Sequence, residues 1–113
     1  LEEKNISNKF LNDKHDLIVV IVKKYFSEEI MESAKKVGAE GGTIIFGRGI
    51  GVHEKSTILG IPVEPEKEII FIIVDRGKTE KVIDSIKNSA DLNQPGMGVG
   101  FLIELNKVWG IHH

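Results

Sequence analysis

The chain has 113 residues and a formal net charge of −2, a length that suits one domain with its own core and a balance that excludes a phosphate-neutralising nucleic-acid surface. It contains no cysteine, which removes disulfides, thiol catalysis and thiolate metal sites and fits a reducing, cytoplasmic setting. No apolar run reaches the roughly 18 residues of a membrane span, so no membrane insertion is expected.

Residues 1–16 are polar apart from Leu1, Ile6, Phe10 and Leu11 and read as an N-terminal arm. Leu17–Val22 is a continuous, mostly β-branched run and the first expected strand. Ser27 is placed to cap a helix, with Glu28 and Glu29 in its first turn, where the helix dipole favours carboxylates. Ile30, Ala34 and Val37 recur at helical spacing, Lys35 and Lys36 fill the last turn, and Gly38 ends the helix. Thr43–Phe46 is the second strand and Glu68–Val74 the third. Thr79 is placed to cap a second helix with the stripe Val82, Ile83, Ile86 and Ala90. A loop over 93–98 leads to a fourth strand at Phe101–Ile103, and Lys107–Ile111 is expected to add a short fifth. His112 and His113 are expected to be the remnant of a purification tag, leaving one domain over 17–111.

The order β-α-β-β-α-β defines an α+β, ferredoxin-like sandwich with a long loop between the second and third strands. The first and third strands are apolar at nearly every position, which implies burial on both faces of the sheet. Two helices cover one face only. Other copies of the same sheet are the economical cover for the second face, so a homo-oligomer is expected.

The stretch Gly41–Pro65 opens on the second strand, and the loop that follows it, Gly49–Pro65, is too long for a hairpin turn; long connections in compact domains are usually functional. Gly47, Gly49 and Gly51 surround Arg48, a pattern that can cradle an anion on backbone N–H groups or simply form a flexible exit from a strand. Arg48 reads either as a fork for phosphate or carboxylate or as a solvated side chain. His53, Glu54 and Lys55 form the densest charged triplet, read either as a solvated loop or as an effector or partner contact; neighbours on an extended loop point apart, which disfavours a metal or catalytic role. Ile58, Leu59, Gly60 and Ile61 form an apolar tip, a partner anchor or a contact with another subunit. Trp109 reads as packing, and Glu64, Glu66 and Glu68 as the exposed, charged start of a strand.

With these elements in place, the chain resembles the PII signal-transduction family of nitrogen regulators from about Leu17 to Ile111. The resemblance rests on Val37-Gly-Ala-Glu-Gly-Gly-Thr43 entering the second strand, Gly49-Ile50-Gly51 opening the long loop, Gly96-Met97-Gly98 before the last main strand, and Lys107-Val108 near the end. It implies a homotrimer that binds adenine nucleotide (ATP, ADP or AMP) between subunits. It also implies a loop that changes shape with the ligand and engages a target enzyme or membrane transporter, in nitrogen or carbon metabolism. The ligand set that remains suitable is Thr43, Gly49, Ile50, Gly51, Gly96, Met97 and Gly98, with Arg48 or Lys107 as substitutes for missing basic residues of the family, and with His53, Glu54, Lys55, Ile58 and Leu59 on the partner loop.

The chain also departs from that family pattern. Its long loop is shorter and has no tyrosine, the only one being Tyr25, so nucleotidylation of a loop tyrosine is excluded. Val99 stands where the family has a lysine, Gly110 and His112 where it has arginines, and Phe71 where it has an adenine-contacting glutamate. The expected function is therefore that of a divergent, PII-like, non-enzymatic regulator in the cytoplasm, with no catalytic residue, no metal and no fixed cofactor. The alternative is a trimeric metal- or anion-binding protein similar to the copper-tolerance CutA group, for which one loop histidine is a poor ligand set.

Overall fold

A computed structural model describes residues 14–52, 54 and 57–111. Its elements are β1 (His15–Lys23), α1 (Ser27–Lys36), β2 (Thr43–Arg48), β3 (Thr57–Ile58), β4 (Ile61–Pro62), β5 (Glu66–Asp75), a 3-10 turn (Arg76–Lys78), α2 (Thr79–Lys87) and β6 (Gly98–Leu105). The main sheet has four strands in the order β2-β5-β1-β6, each neighbour antiparallel, while β3 and β4 form a separate two-stranded ribbon within the long loop. This is the ferredoxin-like sandwich, with α1 and α2 on one face.

The pleat sorts the apolar runs into two sets, because alternate residues of a strand face opposite sides. Ile18, Val20 and Val22 of β1 and Ile70, Ile72 and Val74 of β5 face the helices. They form the core with Ile30 and Ala34 of α1 and Val82 and Ile86 of α2. The two helices are also clipped together where Ser85 Oγ donates to the Ser33 carbonyl at 2.9 Å. The other set, Leu17, Val19, Ile21, Ile69, Phe71 and Ile73 with Ile45, Val99, Phe101 and Ile103 beside them, lies on the face without helices. Val19 alone of this set is buried, because Phe71 and Phe101 flank it in register on either side. Ile45, Ile73, Val99, Phe101 and Ile103 stay exposed within the chain.

Several local expectations are corrected. β1 begins at His15, so His15 and Asp16 belong to the sheet rather than to the arm, and both are buried. Asp16 accepts hydrogen bonds from Arg76 Nε at 2.8 Å and Thr79 Oγ1 at 2.7 Å. Thr79 therefore spends its hydroxyl on Asp16 and does not cap α2; Ser27 likewise starts α1 without capping it, and neither helix has a side-chain cap from its own N-terminus. Lys107–Ile111 forms no strand. β6 ends where Leu105 meets His15, the first residue of β1, and beyond that point the sheet offers no strand to pair with. Residues 1–13, and His112 and His113, lie outside the described residues.

The two faces of β5 are expected to respond differently to charge. Ile70→Glu or Ile72→Glu places a carboxylate among fully buried side chains. That costs several kcal/mol, comparable with the whole stability of a small domain, about 5–15 kcal/mol. These variants should lose the cooperative melt in far-UV circular dichroism, whereas Ile69→Glu and Ile73→Glu should keep it.

Candidate functional site

The long loop leaves the sheet where β2 and β5 stop pairing. Arg48 is opposite Glu66, and one residue on, Gly49 N–H donates to the Pro65 carbonyl at 3.1 Å, closing the base of the loop. Beyond this closure the outer part of the loop is the β3–β4 ribbon. Its turn residues Leu59 and Gly60 both have positive φ, the geometry of a two-residue hairpin turn. Leu59 at the tip is 97% exposed, with Ile58 and Ile61 also in solvent. His53 and Lys55 lie outside the described residues.

Glu54 turns the other way. Its Oε1 accepts the Gly51 N–H at 2.8 Å and pairs with Lys67 Nζ on β5. Both side chains are close to nine-tenths buried. The Lys67 hydrogen bond holds the Glu54 carboxyl below its ordinary range against the opposing effect of burial, with smaller help from the Gly51 N–H and the charges of Lys67 and Lys23.

Behind this contact lies a hollow of about 360 Å³ on the helix-free face, floored by Ile21, Ile69 and Val99. Arg48–Val52 lines one side, and Gly96 with Gly98 the other. The two glycine segments that stand 45 residues apart in sequence therefore converge. Met97 is adjacent but not in the lining, its N–H directed to the Gln94 carbonyl. Gly98 also has a packing reason, since a Cβ there would lie 2.8 Å from the Ile21 carbonyl oxygen. Thr43 and Lys107 are not brought to this hollow. Thr43 lies five residues back along β2, roughly 17 Å away, and Lys107 follows the far end of β6.

A second hollow of about 460 Å³ opens on the other side of Arg48, between Lys24, Phe46 and Glu66. Lys24 pairs with Glu66 at 2.6 Å, and that hydrogen bond is the main reason its ammonium titrates above its usual range. Arg48 borders both hollows and has no ion pair among the described residues.

Glu68 is the residue that sequence reasoning misjudged. It is 6% exposed, and its Oε1 accepts the N–H groups of Tyr25 and Ser27, each at 3.0 Å. A carboxylate from β5 thus satisfies the first turn of α1, in place of the local cap that Ser27 was expected to supply. Burial works against its charge, but the hydrogen bonds from Ser27 and Tyr25, with the nearby Lys24, prevail and hold it below its ordinary range. Tyr25 itself has φ of +82° and is 80% exposed, a strained conformation for a residue with a side chain. Lys67 was not singled out either. The available signal was parity: Lys67 shares its face with Ile69 and Phe71, whereas Glu68 shares the core face with Ile70 and Ile72.

The architecture is thus a ferredoxin-like sandwich with a long loop opening beside a glycine-lined hollow. The pattern of the family described as Nitrogen regulatory protein P-II matches residues 15–113, and the chain belongs to that family. It is a signal-transduction regulator of the PII type, a family of regulators rather than enzymes. Among solved structures it is similar to Arabidopsis thaliana PII bound to citrate, with a TM-score of 0.64 and 22% identity over 82% of this chain and 76% of that one, a likeness of fold. Comparison with curated proteins gives no match. Among the described residues no helix is long and apolar enough to cross a membrane, and no group of three or more His, Asp or Glu could hold a metal ion.

Replacing Glu68 by Ala leaves two N–H groups unsatisfied at the start of α1, and a loss of about 2 kcal/mol is expected in denaturant unfolding. Folded Glu68 titrates below its unfolded value, so its contribution is complete above the ordinary glutamate value, about 4.3, and is lost as pH falls through the folded value. The wild type should therefore lose stability on acidification more steeply than Glu68→Gln. Parallel slopes below about pH 4 would contradict this role.

Proposed function

We propose that the protein works as a homotrimer that takes a small anionic effector at the glycine-lined hollow and reports it through the 49–65 loop to a target enzyme or membrane transporter in the cytoplasm. The observation that carries this reading is the convergence of Arg48–Gly51 with Gly96 and Gly98 at the base of a loop whose tip is apolar and exposed. Assembly is supported by the uncovered face. Its floor residues Ile21, Ile69 and Val99 continue into Ile73, Phe101 and Ile103, and an apolar surface of this extent normally marks an interface. Thr43 and Lys107, too distant within one chain, would join the site only from another copy.

Adenine nucleotide is the leading effector by family, and the local charge argues for the less charged forms. A triphosphate leaving water is compensated chiefly by charge-assisted bonds to Lys and Arg. Here Val99, Gly110 and Phe71 occupy positions that carry such charge or adenine contacts in the family pattern. Arg48, Lys67 and the Gly51 N–H suit one or two acidic groups. The citrate bound to the Arabidopsis protein, a tricarboxylate, is likewise a small anion. Regulation then requires that the effector prefer one loop state, because equal binding to both shifts nothing.

Light scattering should give a trimer for the wild type and smaller species for Ile69→Glu and Ile73→Glu; a stable wild-type monomer at micromolar concentration would refute the assembly. In calorimetry, AMP or ADP should bind at least as tightly as ATP, and Arg48→Ala with Lys107→Ala should weaken them by tenfold or more, about 1.4 kcal/mol. ATP binding tightest, and unchanged in that double variant, would refute the ranking.

A further inference from the structure

The anion seat in this hollow is already taken by a carboxylate of the chain itself. Glu54 Oε1 holds the Gly51 N–H and the Lys67 ammonium together, and the Glu54 N–H returns a bond to the Gly51 carbonyl at 3.0 Å. One backbone N–H and one buried ammonium converging on a single oxygen is what an incoming carboxylate or phosphate needs. Among the described loop residues, Glu54 also makes the loop's side-chain hydrogen bond to the sheet. The contact that fills the seat is therefore the contact that holds the loop down.

We infer that Glu54 is a tethered stand-in for the effector, and that a small anion with two acidic groups replaces it on Lys67 and Gly51 and so releases the loop. This rests on the reading of the hollow as an effector site. The difference that lets an effector win is Arg48. It lines the same hollow and makes no ion pair among the described residues, and Glu54, with its one engaged oxygen, does not reach it. A second acidic group on the effector gains that guanidinium, a contact the tethered carboxylate lacks. Glu66, the other carboxylate beside Arg48, is engaged by Lys24. Carboxylate and phosphate share this chemistry, and citrate, with its several carboxylates, and ADP, with two phosphate groups, serve as the two probes.

The test is calorimetry of the full chain with citrate and with ADP, combined with hydrogen exchange at Ile50–Val52 and Thr57–Ile61. Glu54→Gln removes the competing charge and should bind the anion about tenfold tighter, the size of one charge-assisted contact. Its loop amides should exchange, without ligand, as fast as those of the saturated wild type. Glu54→Ala should behave in the same way, which covers the case in which Gln keeps the Gly51 contact. Lys67→Met should speed exchange but lose binding. An anion that binds the wild type and both Glu54 variants equally would overturn the stand-in while leaving the effector site intact. No binding of either anion to wild type or Glu54→Gln would overturn both. If binding occurs, the tighter probe identifies carboxylate or phosphate as the preferred acid.

Discussion

β1 carries apolar side chains on both faces, and the two helices of the chain reach only one of them. Ile18, Val20 and Val22 meet α1 and α2, while Leu17, Val19 and Ile21 face the other way between Phe71 and Phe101. A sheet built on such a strand is half a core. The hollow with Arg48, Gly51 and Lys67 lies on that second face, so whatever covers the face also bounds the site. An effector site there, as proposed above, would couple ligand binding to assembly without a separate domain.

Buried charge fixes the geometry at both ends of the sheet. At one end Asp16 joins Arg76 and Thr79, tying the start of β1 to the turn that leads into α2. At the other, Glu68 joins Tyr25 and Ser27, tying β5 to the start of α1. Buried ionic contacts add little net stability after desolvation, but removing one partner is costly. Their effect here is to set where each helix begins against the sheet. Tyr25 holds a positive φ at this junction, so the backbone strain and the compensating carboxylate occur together.

The loop combines a strong base with an unsupported tip. Gly49 to Pro65 and Glu54 to Lys67 fix the base, and the β3–β4 ribbon beyond them is held by its own short pairing. With the backbone closure at Gly49 and Pro65 kept, loss of the single Glu54–Lys67 contact would free the part of the loop beyond it, an arrangement suited to two states. Under the proposed exchange of Glu54 for an effector, the energy separating those states would be close to that of one charge-assisted pair.

The alternation of apolar runs, the helical stripe Ile30–Ala34–Val37 and the glycines at 38 and 41–42 were enough to read the order β-α-β-β-α-β and the long loop, because each signal is local. The same runs required a second cover for the sheet, since burial on both faces is written into consecutive residues. The fate of individual charges was not legible. Ser27 and Thr79 had every local mark of a helix cap, yet Glu68 and Asp16, distant in sequence, determined how those helix starts are satisfied. Glu68 and Lys67 are neighbours of opposite charge in a polar stretch. Only the register of β5 against β1 and β2 sends one into the core and the other to the hollow. The glycines of 49–51 and 96–98 were visible as flexible segments, but their meeting depends on β2 finishing and β6 starting at the same end of the sheet, although the two strands form its opposite edges. Sequence determines the face of a side chain once the pairing is known, and the pairing is a property of the folded sheet.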